Sequence, residues 1–411
     1  MEGLTDQERA GFEHIDPAAM LARTGAWCAI NSGTGNLVGL ARQAEALADA
    51  FSALPGEIAL VEPAPVTAMD AEGCEIEQRH GRHLVLRVRP HAARRLLLTG
   101  HMDTVFGPDH PFQTARWLDP ETLNAPGAAD MKGGLSVMLE ALKAFENSGL
   151  AGDVGYDVMI NADEETGSLS SAGLIAELTR GKAAALTYEP ATAPDGTLAY
   201  ARGGSGNYAV AVSGRSAHAG RNPQEGRNAL VAAAELAVRL KRLEHEGLSV
   251  NPARIEGGSA NNVVPDHALL RFNIRPKSTE AAEQFQRDFR ALLAQLQAAH
   301  EVEMRVHGGV TRPPKPVDEG AQELFELVQR AGADLGQHFG WRATGGVCDG
   351  NNIAACGVPV VDTMGVRGGA IHSAAEYLIV PSLAERALLS TLVLHRLASG
   401  LASGVVPRAP A

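Results

Sequence analysis

The chain has 411 residues and a formal net charge of −12; 45% of its residues are hydrophobic, 20% charged and 4% aromatic. That length exceeds one typical core and points to two domains, one inserted in the other, with the apolar share of a globular protein. Without a basic patch, the negative charge excludes nucleic acid and anionic membranes as partners and leaves small molecules and other proteins.

Cys28, Cys74, Cys348 and Cys356 are scattered and form no C-x-x-C pair, which suits a reducing cytoplasm. Met1 to Ile15 carries Glu2, Asp6, Glu8 and Arg9 without an apolar segment, and no apolar run of about 18 residues occurs further along. A soluble, cytoplasmic protein is expected.

Between Asp16 and Leu54 the apolar spacing gives two helices, broken at Asn31-Ser32-Gly33-Thr34-Gly35. Short strands at 58–61, 75–77 and 84–88 lead into Leu96-Leu97-Leu98-Thr99-Gly100, a buried strand that ends at a glycine. His101 and Asp103 come next, and residues two apart on an extended chain point to the same side. A helix at 135–145, with Leu135, Met138, Leu139, Leu142 and Phe145 on one face, precedes a strand at 154–160, a helix at 169–178 and a strand at 184–188. Such alternation predicts an α/β fold with a mostly parallel sheet, whose ligands sit at the carboxyl ends of the strands. The strand and loop ends carry His101, Asp130, Asp163-Glu164-Glu165 and Glu189.

From Thr197 the texture changes. A strand at 207–212, a helix at 228–243, Val263-Val264, a strand at 268–274, a helix at 279–299 and a strand at 302–306 predict a small α+β sandwich. The insertion runs over 197–311 and closes at Arg312-Pro313-Pro314-Lys315-Pro316, leaving 1–196 and 312–411 as the catalytic domain. Beyond it lie a helix at 322–336, the glycine-rich stretch from Thr344 to Asn352, a strand at 358–362, His372-Ser373, and a closing helix at 383–397. The tail from Ser403 is expected to fray.

The candidate ligands are His101, Asp130, Glu165, Glu189 and His372, with Glu164 beside them. Imidazoles mixed with carboxylates suit zinc or a similar first-row ion, and two imidazoles with three carboxylates suffice for two cations if one carboxylate bridges. Such a centre lowers the pKa of a water and so allows amide hydrolysis at neutral pH. In an adjacent Glu164-Glu165 pair, one carboxylate can bind metal while the other serves as general base. Asp103 is placed to accept the second N–H of His101 and fix its tautomer. The glycine clusters at Gly203 to Gly206 and Gly345 to Gly346 lack the context of a phosphate cradle.

In their order, His101-x-Asp103-Thr104-Val105, Gly127-Ala128-Ala129-Asp130-Met131-Lys132-Gly133, Asp163-Glu164-Glu165-Thr166-Gly167-Ser168, Glu189-Pro190 and His372-Ser373 resemble the motifs of the co-catalytic zinc metallopeptidases that include glutamate carboxypeptidase, aminoacylase and succinyl-diaminopimelate desuccinylase. The likeness spans Trp27 to the C-terminus, and Tyr188-Glu189-Pro190 resembles the glutamate carboxypeptidase branch. It implies two Zn2+ per subunit, with Co2+ or Mn2+ as alternatives. Asp130 would bridge them, His101 and Glu189 would complete one site, Glu165 and His372 the other, and Glu164 would be the general base. The insertion would be a ferredoxin-like lid and dimerisation domain of a homodimer, with His218 reaching the active site of the partner subunit to stabilise the oxyanion. Asn262, Arg275, Arg312 and the loop around Gly346 would bind the substrate's carboxylate. Val347-Cys348 stands where the family more often has a Thr-Ser pair.

The resemblance implies a metal-dependent amidohydrolase or carboxypeptidase that uses a metal-activated water to release a C-terminal amino acid, glutamate or similar, from an N-acyl, peptidyl or aryl conjugate. The alternatives are an N-acyl amino acid deacylase acting on acetyl or auxin conjugates and, from another class, a non-catalytic amino-acid-binding homologue. The latter would be expected to have lost Glu164 or a ligand, and all are present.

Overall fold

The helix from Leu37 to Phe51 starts where Asn36 accepts the Gly39 N–H, and its Leu40, Ala44, Leu47 and Phe51 stripe is buried against a sheet. The preceding helix, Pro17–Cys28, begins on an Asp16 cap that accepts from Ala18 and Ala19, with proline at the first turn. These two helices and the turn between them match the expectation from the sequence. The computed structural model describes residues 4–400; the tail from Ser403 lies outside the described residues.

Six strands form the central sheet, in the order Glu57–Val61, His83–Val88, Val154–Asn161, Arg94–His101, Ala184–Thr187, Val360–Val361. The last four run parallel to one another, and the pairings of Glu57–Val61 with His83–Val88 and of His83–Val88 with Val154–Asn161 are antiparallel. Every residue of Val154–Asn161 is buried, as a strand covered on both faces requires. Helices Gly133–Asn147 and Ser382–Ala398 pack together and against helix Pro17–Cys28. Helix Ala172–Thr179 begins later than the pattern suggested, because residues from Asp163 to Ser171 are spent on a hydrogen-bonded turn.

The segment from Ser205 to Arg312 builds a second core under its own sheet, ordered Leu248–Gly257, His267–Pro276, Ser205–Ser213, Glu303–Arg312. All its pairings are antiparallel, and helices Ala229–Lys241 and Thr279–His300 belong to the same core. With its strand–helix–strand–strand–helix–strand order, the segment is ferredoxin-like. Tyr208, Phe272, Phe285 and Phe289 stack at its centre, with Tyr208 and Phe272 rings 4.9 Å apart. Strand Leu248–Gly257 escaped the sequence pattern, and Val263 makes only an isolated bridge to His218. The reason is Pro252, which lowers strand propensity but is tolerated on this edge strand where the register shifts.

Two chain crossings join this unit to the rest. They lie side by side: Arg202 and Lys315 exchange backbone hydrogen bonds, and the Arg202 and Lys315 side chains both reach Asp362 at 2.8 Å. A hairpin, Val66–Met69 with Glu75–Gln78, extends onto the outer face of the second sheet, where Met69 packs with Ala209, Ala211 and Leu269.

Candidate metal centre

His101 ends its strand opposite Asn161, the last residue of the neighbouring strand, and Thr99 pairs with Thr187 on the other side. Three adjacent strands therefore stop at one level of the sheet, and the residues just beyond their ends converge: His101, the Glu164-Glu165 turn and Glu189. Asp130 arrives from the buried turn Ala128–Lys132 that opens helix Gly133–Asn147. That turn sits tightly against the Glu189 strand end, since a Cβ on Gly134 would lie 2.1 Å from the Tyr188 carbonyl oxygen. His372 comes after the short strand Gly368–Gly369 and has φ +61°, a left-handed conformation that few non-glycine residues adopt.

The two oxygens of Asp130 face different imidazoles. Oδ1 is 3.0 Å from His101 Nε2, and Oδ2 is 3.2 Å from His372 Nε2. His372 Nε2 also lies 3.2 Å from Glu165 Oε2, and His101 Nε2 lies 3.7 Å from Glu189 Oε1. Ligand atoms of His101, Asp130 and Glu165 fall within 4.8 Å of one another, as do those of His101, Glu164 and Glu189.

Four carboxylates thus meet two imidazoles in a largely buried place, and their electrostatics record it. Burial, with Asp130 nearby, pushes Glu165 up to about 7; burial also raises Glu189 and raises Glu164 well above the usual carboxylate range, against the pull of His101 on the one and Arg312 on the other. Burial opposes charge on His101, yet Glu189, Asp103 and Asp130 hold its pKa well above the ordinary imidazole value. His372 is pushed up to about 11 by its hydrogen bonds to Asp130 and Glu165. A surplus of buried negative charge, offered through carboxylate oxygens and imidazole nitrogens, fits divalent first-row cations.

Glu164 is tied to the second unit. Its Oε1 accepts from Arg312 at 2.7 Å, and Arg312 also donates to Asp349 at 2.5 Å, to Asn352 at 2.7 Å and to Ser168 at 2.8 Å. Arg312 was expected to hold the substrate. It stands on the wall of the cavity over the cluster, and its buried guanidinium is paired with Glu164 and Asp349, two buried carboxylates that would repel without a cation between them.

Asp103 also differs in detail. Its backbone carbonyl, 2.9 Å from His101 Nδ1, is the nearer partner of the imidazole, and its carboxylate lies 3.5 Å away. That carboxylate accepts instead from Thr34 at 2.7 Å and from the backbone N–H groups of Glu164 and Glu165 at 3.1 and 3.2 Å. It fixes the acidic turn as well as the imidazole.

Glu376 was not singled out from the sequence. Its carboxylate accepts the backbone N–H groups of Ala129, Asp130 and Gly127 at 2.9, 3.0 and 3.2 Å and so holds the Asp130 turn. Its position four residues after His372 was the available signal, but an acid in a loop carries no pattern of its own. Asp349 was noticed only as part of a glycine-rich loop; it ties Ser168 and Asn161, at 2.6 and 2.8 Å, to Arg312.

A cavity of about 700 Å³ opens over this cluster, and Arg275, Arg342 and Gly346 stand on its wall. His218 and Asn262 do not line it; they lie beside each other, exposed, where Ala219 donates to the Asn262 carbonyl and His218 Nδ1 accepts from Gly220.

Comparison with known proteins agrees with this layout. Residues 200–301 match the peptidase dimerisation domain model and residues 83–227 the peptidase family M28 model. Carboxypeptidase G2 of a Pseudomonas species is 29% identical over 78% of this chain and 78% of its own length. A succinyl-diaminopimelate desuccinylase of Verminephrobacter eiseniae is 26% identical over 77% of this chain and 82% of its own. The crystal structure of aminopeptidase PepT from Bacillus cereus shares the fold, with a TM-score of 0.71 at 22% identity, covering 94% of this chain and all of that one (100%). No helix among the described residues is long and apolar enough to cross a membrane. In its matched models and relatives the chain is similar to metallopeptidases and amidohydrolases, carboxypeptidase G2 and succinyl-diaminopimelate desuccinylase among them.

Proposed function

We propose that the chain is a metal-dependent amidohydrolase or carboxypeptidase that releases a C-terminal amino acid, glutamate or one of similar charge, from an N-acyl, peptidyl or aryl conjugate. The observation that carries this reading is the division of Asp130 between His101 and His372 on the floor of a cavity whose wall bears Arg275 and Arg342. Arg202 and Arg312 also line the cavity but are ion-paired to buried carboxylates, so Arg275 and Arg342 are the wall cations that suit a product with two carboxylates.

Asp130 is the shared ligand, His101 and Glu189 complete one position, and Glu165 and His372 complete the other. The proposed occupants are two zinc ions, with cobalt or manganese as alternatives. Bound there, such ions lower the pKa of a water and polarise the amide carbonyl. Glu164, held at Oε1 by Arg312, keeps Oε2 to take the proton of the attacking water and return it to the leaving nitrogen, a task suited to a carboxyl raised by burial. Arg275, whose Nε is anchored on Asn273 at 2.9 Å, presents its terminal N–H groups to the carboxylate of the amino acid. His218 serves the cavity of the second subunit of a homodimer, with Asn262 beside it; its exposure away from its own cavity and the dimerisation-domain match support this. Four free cysteines support a cytoplasmic setting.

The test is hydrolysis of N-acetyl, N-benzoyl and glycyl conjugates of glutamate, leucine and lysine, with and without a chelator. Glutamate conjugates are expected to exceed the others in kcat/KM by at least about 10-fold, the worth of one charge-assisted hydrogen bond, and all turnover is expected to vanish on chelation. Equal rates for leucine, or turnover indifferent to chelation, would contradict the reading.

A further inference from the structure

A second pocket, of about 330 Å³, lies between the Val66–Met69 and Glu75–Gln78 hairpin and the outer face of the ferredoxin-like sheet. It is contiguous with the catalytic cavity, because Thr166, Asn207 and Thr311 line both. Thr166 is the residue after Glu165, and a Cβ on Gly167 would touch Thr311 Oγ1 at 3.6 Å, so the passage starts at the acidic turn itself.

Several of the polar groups around this pocket are engaged with one another. Arg271 donates to Glu256 at 3.0 Å and to the Met69 carbonyl at 2.6 Å. His307 Nε2 lies 3.1 Å from Thr67 Oγ1. Asn273 donates to Asn207, Ser205 and the Gly206 carbonyl. The apolar part of the lining includes Leu169, 38% exposed for a large apolar side chain, over the buried Met69 and Ala209. A ligand that enters from the catalytic cavity gains there chiefly by apolar contact, and the volume lies at the lower end of known ligand sites, ~300–1,000 Å³.

Resting on the amidohydrolase reading, we infer that this pocket is the subsite for the acyl side of the substrate and takes an apolar group, an aryl ring or a medium-length aliphatic chain. The amino acid side of the scissile bond is held by Arg275. Arg275 comes after Asn273 on the strand His267–Pro276, while the pocket's wall at Arg271 precedes it. The two ends of one substrate therefore lie along one strand, with the Asn207–Asn273 pair between them.

The experiment separates this subsite from the catalytic reading. Calorimetry compares N-benzylglutamate with N-methylglutamate, secondary amines without an amide to hydrolyse, on wild type and on Leu169→Trp and Thr67→Trp, which fill the pocket from opposite sides; circular dichroism checks their folding. The benzyl compound is expected to bind wild type at least about 10-fold more tightly than the methyl compound, and the ratio is expected to fall at least about 5-fold in either folded variant. Equal affinities in wild type, no binding of either compound, or a ratio unchanged in both variants would overturn the subsite. In parallel, kcat/KM for N-benzoylglutamate and N-acetylglutamate is measured: hydrolysis of neither sinks the amidohydrolase reading while the binding ratio still decides the subsite.

Discussion

The Arg312 guanidinium holds the Glu164 carboxylate at 2.7 Å. Arg312 ends a strand of the ferredoxin-like sheet, Glu303–Arg312, whereas Glu164 opens the turn after a strand of the central sheet. One ion pair therefore ties the candidate base to the unit that carries Arg275. Glu164→Ala is expected to lower kcat by about 10²- to 10⁴-fold with metal content unchanged. Arg312→Met is expected to lower kcat as well, with partial recovery in Arg312→Lys, which restores charge but not the fork. Steady-state kinetics beside metal analysis check this. Wild-type turnover in Glu164→Ala removes the base assignment.

Glu376 gives a second prediction. Three backbone N–H groups of the Asp130 turn point at its carboxylate, and burial, with the Asp130 charge nearby, pushes its pKa up to about 7. Glu376→Gln replaces one acceptor oxygen with a donor facing those N–H groups. Metal affinity is expected to weaken about 10- to 100-fold, as for other residues that orient a ligand. Competition with a chromophoric chelator measures it, and unchanged affinity would show that the turn holds its shape unaided.

A third prediction concerns stability against pH. Burial works against the charge of Asp362, but Arg202 and Lys315 outweigh it and hold the pKa near about 2. The ordinary value is about 3.9, so the stability contributed by the ionised carboxylate is complete above about pH 5 and drains away as pH falls towards 2. Asp362→Asn leaves two buried cations unpaired and is expected to cost about 3–5 kcal/mol near pH 7. The gap in Tm between wild type and variant is expected to narrow between about pH 5 and pH 2. A gap independent of pH would contradict this account.

Much of the architecture was legible because buried parallel strands and amphipathic helices write their periods plainly. The run Leu96 to Gly100 is buried throughout and ends at His101, and the helix Leu37–Phe51 buries the stripe that its spacing announced. Strand Leu248–Gly257 was lost because proline on an edge strand looks like a break. The convergence of His101, Asp130, Glu164, Glu165, Glu189 and His372 could be anticipated by placing each at a strand or loop end. The engagement of Arg312 and the role of Glu376 could not, because partners 148 and 246 residues apart leave no local trace. His218 is exposed in one chain, and its service to a partner subunit remains a proposal.

A fourth prediction tests that proposal. If the His218 of one subunit serves the cavity of the other, His218→Ala and Glu164→Ala homodimers are each inactive. Mixed and allowed to exchange subunits, they form heterodimers in which one cavity has Glu164 and receives an intact His218. Activity is expected to return on mixing and to scale with the heterodimer fraction. A mixture that stays as inactive as its components would rule out exchange of this residue between subunits.

The most direct measurement is a metal titration of the chelator-treated protein, monitored by turnover of an N-acylglutamate and by metal analysis. The account predicts an inactive apoprotein that binds two equivalents of zinc, cobalt or manganese and recovers activity with them, and an Asp130→Ala variant that holds neither firmly. Full activity in the apoprotein, or two equivalents bound just as tightly after Asp130→Ala, would contradict it.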